Sequence, residues 1–344
     1  MKFKVIEDLK SEIVHHYDSN SQNIIKSTGN IFFVKLNDRE VSFSLPIKNS
    51  FLLHFRLLRR LFRYDKSNAL FNWNKDGVVI IYQKKIYFFD LNRKKLSLID
   101  NLKQSRNALH GGIAVKSTGI FFGEYGHNPK RKPVPIWKSE DDGRSFKIVK
   151  EIYEKNIKHI HGIYADKFSD SLWIVTGDFD GECYLIESTD DNFINLNWYG
   201  DGSQKWRPVS LFFTPNNIIW VMDTPIEKVY LQSFDRLDKT ITQGQDFPGP
   251  VWYSKQFDSE GGLLQTSVEI RKEANLNNAK VYFSSDLIHW NEIASFKKDK
   301  LPMTLFKYGV ISFANGNQSL EDFIIFGEGL VGFDGVSLRA SIEL

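Results

Sequence analysis

Short apolar runs of strand length recur along the whole chain and are separated by polar turns. Between residues 112 and 149 the runs GIAV, IFFG, PVPIW and FKIV follow one another. β-Branched and aromatic residues dominate these runs, which lack the 3.6-residue spacing of an amphipathic helix. Four such runs fall in each period of about 50 residues, which is typical of the blades of a propeller. The pattern therefore predicts an all-β propeller.

A Ser-x-Asp triplet follows one apolar run in each of four successive periods. The triplets begin at Ser139, Ser188, Ser233 and Ser284, so the serines are 49, 45 and 51 residues apart. Weaker polar turns near residues 37, 91 and 335 continue this spacing. Asp, Asn, Ser and Gly suit such turns because they bond to their own backbone or tolerate positive φ. Seven turns predict a seven-bladed β-propeller of four-stranded antiparallel blades, with six blades as the alternative.

The spacing also assigns approximate blades within a single propeller domain. They are 1–50, 67–102, 103–152, 153–203, 204–248, 249–302 and 303–344. Residues 51–66 interrupt the pattern and are predicted to form a helical insertion. Its basic run from Arg56 to Arg63 is interpreted as a solvated connecting helix.

Composition and charge narrow the class of protein. The chain has 344 residues, of which 42% are hydrophobic and 25% charged, as in folded globular proteins. A net charge of +3 is too balanced for the basic stripe of a nucleic-acid-binding protein. The sequence has no apolar membrane-spanning stretch and no signal-peptide pattern, so a cytoplasmic location is the default expectation. Because Cys183 is the single cysteine, no intrachain disulfide is expected, although secreted β proteins can also lack one.

The turn that begins at Ser139 has the sequence SEDDGRSF. It resembles the Asp-box, S-x-D-x-G-x-x-W/F, of sialidases and related BNR-repeat propellers, and the later triplets keep parts of this pattern. The resemblance covers residues 68–344 and implies a fold in which the box stabilises the turn between the third and fourth strands of a blade. It does not extend to sialidase activity, because an early F-R-I-P-like motif is absent and only Arg207 matches a position of the arginine triad.

Propeller geometry predicts where a site lies. The inner strand of each blade runs away from one face and the second strand returns to it. Residues that open first strands and residues that close second strands therefore meet near the axis, and clustered titratable groups in a concavity are candidates for acid–base chemistry. The predicted catalytic residues are His110, His161, Glu124 and Asp178. The predicted substrate-binding residues are Arg207, His159, Tyr125, Asp223, Trp206, Trp252, Tyr253 and Glu269.

These residues favour a carbohydrate-active enzyme, either a glycoside hydrolase or a polysaccharide lyase, that acts on an acidic or complex glycan. Arg207 is expected to bind a substrate carboxylate, and the aromatic side chains are expected to stack on sugar rings. A divalent metal, Zn²⁺ or Mn²⁺, at His110, His161 and Glu124 is an open option, because imidazole and carboxylate groups suit these ions.

The alternative function is a non-catalytic platform that binds a glycan or a protein, because fold does not dictate chemistry. Histidines and acids that are paired off between blades would favour this platform. A polar pocket with unpaired carboxylates would favour the enzyme.

Overall fold

The computed structural model describes residues 1–47, 50–258, 261–270 and 276–343. In these ranges the strands form seven sheets, each with four strands in antiparallel order. The fold is a seven-bladed β-propeller, so the predicted fold class is confirmed and the six-bladed alternative is wrong.

The helices and strands follow one another from the N-terminus to the C-terminus. The first are β1 (Lys2–Leu9), β2 (Ile13–Asp18), β3 (Asn23–Thr28), β4 (Ile31–Leu36), β5 (Arg39–Ser44), a 3₁₀ helix (Ser50–His54) and α1 (Arg56–Leu61). The next are β6 (Ser67–Phe71), β7 (Gly77–Tyr82), β8 (Lys85–Asp90), β9 (Lys95–Asn101), β10 (Ile113–Lys116), β11 (Gly119–Gly123), β12 (Val134–Ser139), β13 (Lys147–Ile152), a 3₁₀ helix (Glu154–Asn156), β14 (His159–Ala165), β15 (Leu172–Gly177), β16 (Cys183–Ser188) and β17 (Leu196–Gly202). The last are a 3₁₀ helix (Gln204–Trp206), β18 (Phe212–Phe213), β19 (Asn217–Val221), β20 (Val229–Asp235), β21 (Ile241–Phe247), β22 (Val251–Gln256), β23 (Gly262–Thr266), β24 (Asn278–Ser284), β25 (Asn291–Lys297), α2 (Met303–Phe306), β26 (Val310–Phe313), β27 (Phe323–Glu328) and β28 (Val336–Glu343). No helix in the described ranges is long and apolar enough to cross a membrane.

The chain divides into two compact units, and the second unit comprises residues 71–252. It contains the sheets β10-β11-β12-β13, β14-β15-β16-β17 and β18-β19-β20-β21. Apolar side chains of successive sheets form continuous clusters, in which the rings of Phe121, Trp173 and Trp220 are fully buried. Burial of one such ring stabilises the fold by about 1.5–3 kcal/mol. These clusters fix the sheets that carry the candidate site.

The first unit joins residues 1–70 to residues 253–344. In this unit β1 pairs with β28, from Lys2 opposite Glu343 to Leu9 opposite Ser337. The N-terminal strand is therefore the fourth strand of the sheet that contains β26, β27 and β28, although the predicted first blade, 1–50, included it. As a consequence, the turn near residue 335 joins the second and third strands of its sheet instead of the third and fourth. The single-domain assignment stays a prediction.

The 3₁₀ helix that begins at Ser50 and α1 coincide with the predicted helical insertion at 51–66, apart from that first residue. The expectation that its basic run is solvated is wrong for Arg59 and Arg60, which are buried. The Arg60 guanidinium forms an ion pair with Asp299 and donates from Nε to the carbonyl oxygen of Phe306 at 3.0 Å. The arginines of α1 therefore pair within the first unit, since a buried guanidinium requires a carboxylate partner.

The Ser139 turn in the second unit is held by its own side chains. Ser139 Oγ donates to Asp141 Oδ1 at 2.9 Å, and the N–H of Gly143 donates to Ser139 Oγ at 2.7 Å. The N–H of Ser145 donates to Asp141 Oδ1 at 2.7 Å. These bonds satisfy backbone donors that the tight turn would otherwise leave without partners.

Gly143 in this turn has a φ of +96°, and a Cβ there would lie 2.5 Å from Cγ2 of Val79. We expect Gly143→Ala to lower the free energy of unfolding by about 2–4 kcal/mol, because left-handed strain and overlap with Val79 add. Gly332→Ala is the matched control, since Gly332 has a φ of +71° and no atom within 4 Å of an added Cβ. Gly332→Ala should lower the free energy of unfolding, measured by urea denaturation, by only about 1–2 kcal/mol. Equal losses in both variants would contradict the packing constraint at Gly143.

Candidate functional site

The hairpin of β14 and β15 positions the centre of the candidate site. His159 opens β14 and pairs with Gly177, the last residue of β15, so Asp178 lies beside the start of β14. A β-bulge between Ile160 and Gly162 accommodates His161 as an extra residue in β14. This arrangement agrees with the sequence argument that strand openings and strand ends meet at one face.

Two imidazoles and one carboxylate converge here. Nε2 of His159 and Nε2 of His161 each lie 3.3 Å from Oδ1 of Asp178. Both histidines are almost fully buried, with 3% and 1% of their surface exposed, and Asp178 is partly exposed. We call these three residues the His–His–Asp cluster. In the described part of the chain, these three side chains form the group that could hold a metal ion. Their ligand atoms all lie within 4.8 Å of one another.

The outer nitrogens of the two histidines bond to backbone carbonyl groups. Nδ1 of His159 lies 2.8 Å from the oxygen of Gly126, and Nδ1 of His161 lies 2.8 Å from the oxygen of Pro208. A carbonyl oxygen can only accept, so Nδ1 carries the proton in both rings. Burial lowers the pKa of His159, although the hydrogen bond and the charge of Asp178 oppose this effect.

Arg207 connects the cluster to a second buried carboxylate. Its Nη2 lies 3.1 Å from Oδ1 of Asp178 and 3.2 Å from Oδ2 of Asp223. Burial raises the pKa of Asp223, while Arg207 acts in the opposite direction. Burial would also raise the pKa of Asp178, but hydrogen bonds from His159 and His161 hold that pKa well below its usual range. Arg207 is therefore neutralised internally, and the predicted role of binding a substrate carboxylate is not available to it in this arrangement.

Two residues of the site were not predicted from the sequence. The ammonium group of Lys158 contacts Oδ2 of Asp178, and Lys158 directly precedes the first histidine of the cluster. Gln204 is fully buried, donates to the backbone oxygen of Asp178 at 3.3 Å, and accepts from Arg207 Nη1 at 3.3 Å. The sequence prediction named only His, Arg, acidic and aromatic residues, so it did not include a lysine or a glutamine.

The structure does not bring Glu124 into this cluster. Its carboxylate accepts hydrogen bonds from the backbone N–H groups of Lys103, Gln104 and Ser105 at 2.7–2.8 Å. The indole Nε1 of Trp137 donates to it at 3.0 Å. Four donors occupy a carboxylate that is only 2% exposed. We therefore assign Glu124 a structural role in place of the predicted proton transfer.

Among the predicted aromatic contacts, Tyr125 lies at the site. Its ring centre is 4.3 Å from that of His159 and 5.9 Å from that of His161, and the side chain is half-buried. The prediction that Trp206 stacks on a sugar is wrong, because Trp206 is buried with its ring 5.8 Å from Trp220. Trp252 is half-buried, and its carbonyl oxygen accepts from Ser210 Oγ at 3.0 Å.

The other predicted residues are not members of the His–His–Asp cluster. His110 is half-buried in the turn before β10, where the N–H of Gly112 donates to Leu109. It does not belong to the group of possible metal ligands found in the described ranges, so the ligand set differs from the predicted His110, His161 and Glu124. Tyr253 and Glu269 are buried and belong to the first unit.

Comparisons with known proteins identify the fold. No protein-family profile and no curated protein sequence matches the chain. The chain is similar to the extracellular domain of the putative one component system BT4673 from B. thetaiotaomicron, with a TM-score of 0.58 and 11% identity over 100% of this chain and 40% of that chain. A chain of the Mitotic Checkpoint Complex has a TM-score of 0.58 and 6% identity, with 99% and 92% covered. Dihydro-heme d1 dehydrogenase NirN, in complex with DHE, has a TM-score of 0.53 and 10% identity, with 92% and 65% covered.

The BT4673 domain and NirN are β-propeller proteins, and at such low identity these similarities show the fold alone. This chain spans about 40% of the length of the BT4673 chains that it matches. Their named roles differ from one another, so the function has to be argued from the site.

Proposed function

We propose that this protein is a carbohydrate-active propeller of the Asp-box type that cleaves an acidic glycan by β-elimination. The Asp-box relationship is supported by four turns in which an aspartate accepts hydrogen bonds from the backbone N–H groups that follow it. These aspartates are Asp141, Asp190, Asp235 and Asp286. The choice of reaction rests on the arrangement of the carboxylates.

A glycoside hydrolase of the usual kind places two carboxyl groups on either side of the sugar, one as acid and the other as nucleophile or base. In the described site, Asp178 and Asp223 both contact the same nitrogen, Nη2 of Arg207, at 3.1 and 3.2 Å. A guanidinium between them leaves no space for a sugar. This single observation disfavours hydrolysis by two carboxylates and favours a lyase, the other reaction class predicted from the sequence.

β-Elimination requires a base near the proton on the carbon next to the substrate carboxylate. When the base takes this proton, the electron pair forms a carbon–carbon double bond, and the glycosidic oxygen leaves with a proton from an acid. Tyr125 is a half-buried residue of the site and packs against His159, so we assign the proton transfer to its hydroxyl group. Lys158 is paired with Asp178, but 19% of its side chain is exposed, so we assign the contact with the substrate carboxylate to its ammonium group.

We expect Tyr125→Phe to lower kcat for a uronate-containing oligosaccharide by about 100-fold or more, because loss of a general acid–base group removes that much rate. The measurement is ultraviolet absorbance of the unsaturated product, with reducing ends counted in parallel. Tyr153→Phe is the matched control, since Tyr153 is 67% exposed on the surface. Release of reducing ends without any unsaturated product would show hydrolysis and overturn the lyase assignment. Unchanged turnover in Tyr125→Phe would remove Tyr125 from the mechanism.

A binding platform is the second candidate, and one observation favours it. The Nδ1 bonds of His159 to Gly126 and of His161 to Pro208 join neighbouring sheets, as expected for structural histidines. Retained binding of acidic oligosaccharides without turnover on a broad panel would establish this alternative.

A further inference from the structure

The inner nitrogens of the two buried histidines face an acceptor instead of a donor. Because Nδ1 of each ring bonds to a backbone carbonyl, each ring turns its Nε2 toward Oδ1 of Asp178. Nε2 of His159 is buried and has no hydrogen-bond donor in the described part of the chain. Two imidazole nitrogens and one carboxylate oxygen, all of which can bind a metal ion, thus converge on one point, and Nη2 of Arg207 contacts the same oxygen at 3.1 Å.

We propose that His159, His161 and Asp178 bind one divalent transition-metal ion, and that Zn²⁺ suits the site best. Two imidazole nitrogens and one carboxylate oxygen are a usual donor set for zinc. Each Nε2 lies 3.3 Å from Oδ1. Ligands about 2.0–2.1 Å from a tetrahedral zinc ion are separated by about 3.3–3.4 Å, so these two edges already have the required length.

The surroundings of the cluster have the features of an outer ligand shell. Metal-binding histidines usually donate their second ring N–H to a carbonyl or carboxylate, which fixes the tautomer and the ring orientation. Gly126 and Pro208 supply these carbonyl groups. Arg207 donates to the ligating carboxylate of Asp178 and thereby orients it. Three protein ligands leave a fourth position open, as in zinc sites that bind an exogenous ligand.

Charge indicates which ligand the fourth position would take. The formal charges of Lys158 and Arg207 balance those of Asp178 and Asp223, so a bound dication leaves the site with a net positive charge. Such a site favours an anionic oxygen ligand, for which a uronate carboxylate is a suitable source. This last step rests on the proposed function, whereas metal binding itself does not.

The test uses the full chain, stripped with chelator and titrated with Zn²⁺ by calorimetry. We expect one Zn²⁺ per chain, no saturable binding of Mg²⁺, and a loss of affinity of more than about 100-fold in His159→Gln and in His161→Gln, since even outer-shell changes reach that size. His54→Gln is the matched control, because His54 is an exposed histidine in the first unit, outside the cluster. Unchanged Zn²⁺ affinity in both cluster variants would overturn the proposal, as would no saturable binding by the wild type.

A second measurement does not depend on the variants folding. Co²⁺ added to the stripped wild-type chain should produce the visible absorption bands of a tetrahedral site with nitrogen and oxygen ligands, and Zn²⁺ should abolish them. A spectrum identical to that of aqueous Co²⁺ would refute the site. Stoichiometric zinc without any unsaturated product would overturn the lyase and leave the metal site standing. Conversely, a metal-free chain that forms unsaturated product at full rate and does not bind Zn²⁺ would overturn the metal site and leave the lyase standing.

Discussion

Glu124→Ala is expected to lower the free energy of unfolding by about 4 kcal/mol, which is near the upper end of the range for single substitutions. The carboxylate accepts from three backbone N–H groups and from the indole of Trp137. Alanine would leave these donors without an acceptor, and each buried unsatisfied donor is worth about 1–3 kcal/mol. The bond from the Lys103 N–H is only partly buried, so the expected total stays below the sum of four such losses.

Urea denaturation of Glu124→Ala and Glu124→Gln checks this expectation. Glutamine keeps one acceptor oxygen, so it should lose about half as much stability as alanine. Glu151→Ala is the matched control because Glu151 is exposed on β13, and its change should stay within about 0.5 kcal/mol. Wild-type stability of Glu124→Ala combined with lost turnover would reverse our assignment and return Glu124 to the catalytic residues.

The sequence predicts most of the fold because each blade repeats the same pattern of apolar runs and polar turns. The regular spacing from Ser139 to Ser284 marks equivalent turns, and a period is readable without any knowledge of tertiary contacts. The prediction fails at the chain ends for a physical reason. The pairing of Lys2 with Glu343 joins residues at opposite ends of the sequence, and no local pattern records which sheet an N-terminal strand completes.

The site could be predicted only in part. Strand geometry places His159, His161 and Asp178 together, and the structure agrees. The same geometric rule also selected Glu124. An acidic residue at the end of a strand can belong to a functional site, or it can accept hydrogen bonds from the backbone of a turn. Which of the two applies depends on the N–H groups of residues 103–105, whose path follows from tertiary packing. The prediction for Trp206 failed for a similar reason. An aromatic ring expected at a strand opening suits both a sugar and the core, and the structure places Trp206 at the end of a 3₁₀ helix, buried.

Buried ion pairs are the least predictable part of this molecule. Arg56 and Arg60 of α1 pair with Asp334 and Asp299, which lie more than 200 residues away in the sequence. Arg56 and Arg59 also pair with the nearby Asp65, but the spacing alone did not indicate that these ion pairs would be buried. Asp166 in the second unit is a comparable case. It lies between β14 and β15, and its side chain is fully buried against Arg236, which lies between β20 and β21.

Asp166→Ala is expected to lower the free energy of unfolding by about 3–5 kcal/mol, because it leaves the partly buried Arg236 guanidinium without its carboxylate. Both guanidinium nitrogens Nη1 and Nη2 contact Asp166, and Nε donates to the carbonyl oxygen of Thr214 at 2.9 Å. Asp166 also accepts from the indole Nε1 of Trp173 at 3.2 Å. The loss should therefore exceed that of a surface ion pair, which is about 0–1 kcal/mol.

A double-mutant cycle separates the ion pair from the other bonds of Asp166. If most of the loss in Asp166→Ala comes from the unpaired Arg236 guanidinium, the double variant Asp166→Ala/Arg236→Ala should lose less stability than the sum of the two single variants. The expected coupling free energy is about 1–3 kcal/mol. Asp246→Ala is the control, because Asp246 pairs with Lys228 in an exposed ion pair and should change stability by less than about 1 kcal/mol. Additive losses at Asp166 and Arg236 would mean that the hydrogen bonds of Asp166 within its own turn, such as the one from the N–H of Phe168, carry the effect instead of the contact between sheets.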